Sequence, residues 1–149
     1  MMQMENKVYD ILLDSAIEQS TTLNTIFNGQ FAILEPFASS LSSQDELVYE
    51  DIIIRMDAIA KVSDFLHVSI ADKQGNCYNN EGKRTQVADQ FYFTEAMAGK
   101  KALQNISHRQ KDNNESMIIS VPLKFQGKAY GCVIGSFAED QIRNFLGSP

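Results

Sequence analysis

The chain has 149 residues, which is enough for one domain with a single core and too few for two ordinary domains. With 44% hydrophobic and 21% charged residues, its composition is that of an ordinary globular domain and excludes wholesale disorder. The net charge of -6 disfavours a nucleic-acid partner, because phosphate binding draws most of its affinity from lysine and arginine.

The two cysteines, Cys77 and Cys132, do not form a C-x-x-C pair, and the two histidines, His67 and His108, are separated from them in sequence. A disulfide, two thiols and metal ligation are all open from these positions, and free or buried thiols are the favoured interpretation. The pattern predicts no metal site, and we expect no cofactor.

A long N-terminal helix is predicted from about Glu5 to Leu41, where apolar residues recur at helical spacing. Gly29 weakens this helix, and Pro36 predicts a kink or a restart. A helix of about 35 residues would be about 50 Å long, which is more than a domain of this size covers. We therefore expect part of it to contact a second copy of the chain.

A second helix is predicted from about Gln44 to Val62. Ser43 and Glu46, at its start, have the S-x-x-E spacing of a capping box.

Alternation replaces the helical period after Asp64, which predicts a strand through Ile70 followed by a turn at residues 72–75. A short partner strand, Asn76–Asn79, ends in a loop at residues 80–83.

A brief helix, Gln90–Ala98, is predicted next, with Asp89 as its cap and Gly99 closing it. An edge strand follows at Leu103–Ser107.

Two long apolar strands, Ser116–Phe125 and Lys128–Phe137, are joined by a tight turn. Ser136 and Glu139 repeat the capping-box spacing and predict a final helix.

This order predicts an α+β fold: a five-stranded antiparallel sheet with a long N-terminal helix and flanking helices on one side. We expect a single domain, residues 1–149, with N-terminal helices at 1–62, a sheet core at 63–137 and a C-terminal helix at 138–149 that leads toward a membrane span.

The stretch from His67 to Phe137, which begins with a strand ending in the D-x-x-G turn ADKQGN, resembles the PAS-like Cache family of sensor domains. DQFYFTEAMAGK resembles the family's D-R-x-Y-F-x-x-A-x-x-G-K, and SMIISVPL with GKAYGCVIGSF resembles its A-x-P-I followed by G-x-x-x-G-V. The matching residues are Asp89, Tyr92, Phe93, Ala96, Gly99, Lys100, Pro122, Gly127 and Gly131.

The resemblance implies an extracytoplasmic small-molecule-sensing domain of a bacterial transmembrane signalling protein, tethered to the membrane and dimeric through its N-terminal helix. The expected output module is a GGDEF diguanylate cyclase, with a histidine kinase or a chemoreceptor next. The alternatives are a structural dimerisation module without a small ligand and a cytoplasmic PAS domain. No catalytic motif such as G-x-S-x-G or H-E-x-x-H is present in the sequence, so we expect no enzyme activity from this chain.

Two positions depart from the family pattern. Gln90 stands where the family usually has an arginine, and Ser136 stands near the aspartate that holds the ammonium group of an amino acid. A glutamine cannot replace the charged, bidentate arginine clamp on a carboxylate, which argues against amino-acid binding of the common kind. A neutral ligand, a ligand held through another residue such as Arg109, and no ligand are all open.

The expected ligand-binding residues are Gln90, Tyr92, Phe93, Arg109, Ser120 and Tyr130. Aromatic walls with a few polar groups are typical of small-molecule sites. The alternative roles are core packing for the aromatic residues, solvent exposure for Arg109 and a backbone hydrogen bond for Ser120.

Overall fold

The secondary structure was determined on a computed structural model that describes residues 21–41, 49–105 and 115–138. These ranges contain three helices and six strands. In chain order they are α1 (Thr21–Leu41), α2 (Tyr49–Val62), β1 (His67–Asp72), β2 (Asn76–Asn79), β3 (Arg84–Gln86), α3 (Phe91–Met97), β4 (Ala102–Asn105), β5 (Glu115–Phe125) and β6 (Lys128–Ala138).

The strands form one antiparallel sheet in the order β3-β2-β1-β6-β5-β4. The predicted antiparallel α+β architecture is confirmed, but the sheet has six strands where five were expected. The additional strand, β3, pairs with β2. All three of its residues are exposed, so no apolar alternation in the sequence could indicate it.

Helices cover both faces of the sheet, and the prediction of helices on one side was wrong. Helices α1 and α2 pack on one face, which we call the rear face, and α3 packs on the other, the front face. Along β1, Val68 and Ile70 point to the rear core, while Ser69 and Ala71 point to the front, because successive strand residues face opposite sides. The buried front core consists of Ala71, Cys77, Val87, Tyr92, Phe93, Ala96, Ala102, Ile118, Cys132 and Ile134.

Helix α1 runs without interruption through Pro36, so the predicted restart does not occur. Pro36 is exposed, whereas Leu34 and Phe37 beside it are buried in the rear core. The predicted part of this helix before residue 21 and the capping box at Ser43 and Glu46 lie outside the described residues. None of the helices described is both long and apolar enough to cross a membrane.

The short predicted helix is α3. Its N-cap is Gln90, no side chain caps it, and the predicted Asp89 cap was wrong. Gly99 ends the helix at a φ of +88°, with its own N–H and that of Lys100 bonded back to carbonyls of the last turn. This is the Schellman arrangement, in which glycine takes the left-handed position without strain.

Ser136 lies inside β6, paired with His67 of β1 and Ile118 of β5. It therefore belongs to the centre of the sheet, and its predicted role as a helix cap was wrong. The predicted C-terminal helix lies outside the described residues.

Candidate ligand-binding site

A cavity of about 160 Å³ lies on the front face, between the strands and the first turn of α3. It is smaller than the pockets of about 300–1,000 Å³ that hold drug-sized ligands, so its size suits a metabolite of a few heavy atoms. Its lining residues are His67, Ser69, Cys77, Asn79, Glu81, Lys83, Thr85, Val87, Tyr92, Ile118, Ile134 and Ser136.

The floor of the cavity is formed by adjacent residues of β1 and β6. His67 and Ser136 are direct partners across these strands, and Ser69 is the partner of Ile134. Ser136 is only 2% exposed, and its hydroxyl donates a hydrogen bond of 3.3 Å to the carbonyl oxygen of His67. The floor is thus polar at its centre and apolar beside it.

Tyr92 of α3 contributes the aromatic wall of the cavity, and its backbone is held by two side chains of the sheet. Its N–H donates to Oε1 of Gln104 over 3.2 Å, and its carbonyl oxygen accepts from the hydroxyl of Ser120 over 2.9 Å. Because Gln104 belongs to β4 and Ser120 to β5, the two bonds fix the start of α3 to two neighbouring strands.

The mouth of the cavity is formed by residues 79–83, which we call the cavity turn. The Asn79 side chain accepts hydrogen bonds from the N–H groups of Glu81 and Lys83, over 2.8 and 3.0 Å. Oε1 of Glu81 lies 3.0 Å from Nε2 of His67, which joins the turn to the first residue of β1. The side chain of Glu81 is 68% exposed and that of His67 is 19% exposed, so the pair lies where the cavity meets solvent.

The cavity turn is also bonded to α2. Oδ1 of Asn80 accepts from the backbone N–H of Val68, and its Nδ2 donates to Oδ1 of Asp57, each over 3.1 Å. Hydrogen bonds from Lys61 and then from Asn80 hold the pKa of the Asp57 carboxyl below its ordinary value. One side chain thus connects the turn to a strand and to a helix.

Of the predicted ligand-binding residues, the structure places Tyr92 in the cavity wall. The adjacent Phe93 is buried in the front core and does not line the cavity. Gln90 lies at the start of α3, where its side-chain amide is 3.3 Å from a carboxylate oxygen of Asp89. Arg109 lies outside the described residues, so its role stays a prediction.

Two predicted residues lie beside or behind the cavity. Ser120 is fully buried on the front face, where its hydroxyl is bonded to Tyr92. Tyr130 lies against the rear core, and its hydroxyl donates to the carbonyl of Leu41 over 2.9 Å. The reason is a β-bulge. Leu123 of β5 pairs with Gly131, but the next residue, Lys124, pairs with Ala129, so Tyr130 is left unpaired between them and faces the other side of the sheet.

Several lining residues were absent from the sequence-based set. His67 and Ser69 share the face of β1 opposite to Val68 and Ile70, so their alternation was a usable signal. Thr85 carried no such signal, because it lies in the unpredicted strand β3.

The favoured interpretation of the cysteines is confirmed, since Cys77 and Cys132 are buried thiols that are not joined in a disulfide. They flank Ala71, which pairs with each of them from the strand between. Burial, with a further contribution from nearby Cys77, raises the pKa of the Cys132 thiol well above its ordinary value. Within the three described ranges, no group of three histidine, cysteine, aspartate or glutamate side chains could hold a metal ion.

Neither a protein-family model nor a curated protein matches the chain. Solved structures do match it. The ligand-binding domain of the Pseudomonas aeruginosa amino acid chemoreceptor PctC, in complex with GABA, is 14% identical and has a TM-score of 0.66 over 93% of this chain. That of the Pseudomonas fluorescens chemoreceptor CtaA with L-serine is 15% identical, with a TM-score of 0.71 over 95%. The extracellular domain of a protein assigned as a histidine kinase, rpHK1S-Z16, is 16% identical, with a TM-score of 0.70 over 97%.

The chain shares the fold of these three domains. The predicted α+β class, an antiparallel sheet with flanking helices, is thereby confirmed. The chain spans 62–64% of the length of these three domains. At 14–16% identity, these structures share their backbone architecture with the chain and do not identify its ligand.

Proposed function

We propose that this chain is the extracytoplasmic small-molecule-sensing domain of a bacterial transmembrane signal-transduction protein. The ligand binds in the front-face cavity, between the floor of β1 and β6 and the start of α3. The observation that supports this most is the cavity itself: it combines an aromatic wall with a polar floor.

The similar structures support the same proposal. The domains of PctC and CtaA carry GABA and L-serine, respectively, and both are chemoreceptors. Because only the fold is shared, the assignment of sensing to this chain is an inference from the cavity combined with the fold.

Binding would act through the start of α3. A ligand against Tyr92 contacts a residue whose backbone is already bonded to β4 and β5 through Gln104 and Ser120. It would shift the domain between two states only by the difference in its affinity for them.

The wider assembly is part of the proposal. We infer a homodimer through the N-terminal helix, tethering to the membrane in the full-length protein, and a GGDEF diguanylate cyclase as output, ahead of a histidine kinase or a chemoreceptor. The choice of output rests on family association. Sedimentation of the purified chain tests the dimer, and reading the complete coding sequence on both sides of this segment tests the membrane spans and the output module.

A thermal-shift screen finds the ligand. The chain would be heated with amino acids, short carboxylates, amines, amides, purines and sugars. A ligand present at 100 times its Kd raises the free energy of unfolding by about 2.7 kcal/mol, which is readily measured.

Two neighbouring aromatic residues then provide a matched test. Tyr92 and Phe93 are both buried on α3, 7% and 5% exposed, but only Tyr92 lines the cavity. We expect Tyr92→Leu and Phe93→Leu to destabilise the fold similarly, by about 1–3 kcal/mol. Only Tyr92→Leu should weaken binding of the ligand found in the screen, by about tenfold or more. Equal effects of the two variants on binding, or a screen with no ligand, would contradict the proposed site.

A further inference from the structure

We infer that the cavity selects a small uncharged ligand with several hydrogen-bonding groups, of the amide or polyol class, over amino acids and other ions. This inference rests on the proposed function and specifies its ligand. It follows from where the charged side chains of the cavity lie.

Among the described residues, three side chains that line the cavity are acidic or basic: His67, Glu81 and Lys83. Glu81 and Lys83 belong to the exposed cavity turn, and His67 begins β1 beside it. The remaining lining residues are uncharged: Ser69, Cys77, Asn79, Thr85, Val87, Tyr92, Ile118, Ile134 and Ser136. The charge of the site is therefore confined to its mouth.

The floor offers hydroxyl groups to a ligand. Ser136 lines the cavity and is only 2% exposed. An ion buried without an opposite charge loses its hydration, and a hydroxyl does not replace that loss. A ligand group that reaches Ser136 is therefore favoured when it is uncharged.

The acidic group at the mouth already has a partner. Glu81 lies 3.0 Å from the ring nitrogen of His67, and its backbone is fixed by the Asn79 side chain. A ligand ammonium would have to share or break the His67 contact. Glu81 is also mostly exposed, where attraction between charges is weak.

An uncharged polar ligand meets complementary groups throughout. The Ser69 hydroxyl can donate and accept a hydrogen bond, and the Ser136 hydroxyl, whose proton is donated to the carbonyl of His67, can accept one. Amides and alcohols supply matching donors and acceptors without a charge. Ile118, Ile134 and the Tyr92 ring provide apolar contact for a short carbon skeleton.

Four compounds of one size test the inference by calorimetric titration of the 149-residue chain. Lactamide is neutral, lactate is an anion, alaninamide is a cation and alanine is a zwitterion, on the same three-carbon skeleton. We expect lactamide to bind at least tenfold more tightly than each of the other three. Tighter binding of any charged member overturns the ligand class while leaving sensing in place. If none of the four binds and the wider thermal-shift screen is also flat, the proposed function itself fails.

A variant tests whether Ser136 sets this preference. Ser136→Asp places a carboxylate on the floor, and we expect it to weaken lactamide binding at least tenfold and to make alaninamide the tightest of the four. In the control Ser136→Asn, the new side chain has nearly the size of aspartate but no charge, so this variant should not gain alaninamide binding. If Ser136→Asp folds, as judged by circular dichroism, and keeps the wild-type order, Ser136 does not determine selectivity. If it unfolds, addition of alaninamide should restore folding; failure of alaninamide to do so also contradicts the assignment.

Discussion

The hydroxyl of Ser120 donates a 2.9 Å hydrogen bond to the carbonyl oxygen of Tyr92, a residue 28 positions earlier in the chain. Ser120 is fully buried in β5, and Tyr92 is the cavity residue of α3. The bond thus connects the middle of the sheet to the wall of the binding site.

Ser120→Ala should destabilise the domain by about 1–3 kcal/mol, because it leaves the carbonyl of Tyr92 without this partner in a buried place. Thr94→Ala is the control. Its hydroxyl bonds to the carbonyl of Phe91 within the same helix, but at an exposed position, so a change within about 0.5 kcal/mol is expected. Urea unfolding measures both. Equal values for the two variants would mean that the Ser120 bond contributes little.

Two glycines should respond to alanine in opposite directions. A Cβ at Gly131 of β6 would lie 2.3 Å from the carbonyl oxygen of Ala71 on the neighbouring strand, so Gly131→Ala should destabilise by more than about 2 kcal/mol. Gly29 lies exposed within α1 with nothing within 4 Å of the added carbon. Gly29→Ala should stabilise by about 0.5–1 kcal/mol, since alanine favours the helix. Thermal unfolding compares them; a stable Gly131→Ala variant would contradict the register of β1 and β6.

The long apolar elements could be predicted from the sequence because burial imposes a period on them. Helix α3 and strands β5 and β6 were found within a few residues of their ends. The prediction was wrong where a short sequence motif was compatible with two kinds of secondary structure. Ser136 and Glu139 match a capping box, yet β6 continues through Ser136 because its neighbours Gly135 and Phe137 are buried between strands and helices.

Alternation along the strands could not by itself predict which side chains reach the cavity. Tyr130 lies an even number of residues from Cys132 and Ile134, which face the front core, so a regular strand would place Tyr130 on the front face too. The bulge reverses it, and the sequence gives no sign of that. The cavity turn was predicted only as a loop, because its contacts with His67 and Asp57 join residues 14 and 23 positions apart.

Stability should fall at alkaline pH because of Cys132. Burial, and then nearby Cys77, raises the pKa of this thiol in the folded state, so the unfolded chain releases its proton first as pH increases. The contribution is complete below about pH 8.5 and is lost above it, with a slope of at most about 1.4 kcal/mol per pH unit. Urea unfolding from pH 7 to 10 should show a steeper decline for the wild type than for Cys132→Ala. Parallel curves would contradict the burial of this thiol.

Asn80→Ala should destabilise the domain by about 1–3 kcal/mol. It removes the acceptor for the backbone N–H of Val68 and the donor to Asp57. Asn80→Asp keeps the acceptor but places a second carboxylate beside Asp57, so we expect an effect that becomes smaller at acid pH, where carboxylates are neutral. Because the pKa of Asp57 lies below its ordinary value, denaturant unfolding at pH 7 and at about pH 2.5 separates the two contributions. The same loss at both pH values for Asn80→Asp would show that repulsion from Asp57 is absent.

Asn80 and Glu81 are consecutive residues, and they bond to opposite sides of the molecule. Glu81 reaches His67 at the cavity on the front face, and Asn80 reaches Asp57 on α2, which packs on the rear face. Adjacent residues of one tight turn cannot be displaced independently. A displacement of Glu81 away from His67 would therefore also strain the contact of Asn80 with α2. The cavity turn thus gives the front face a mechanical connection to the rear helices, in addition to the bonds that join Tyr92 to β4 and β5.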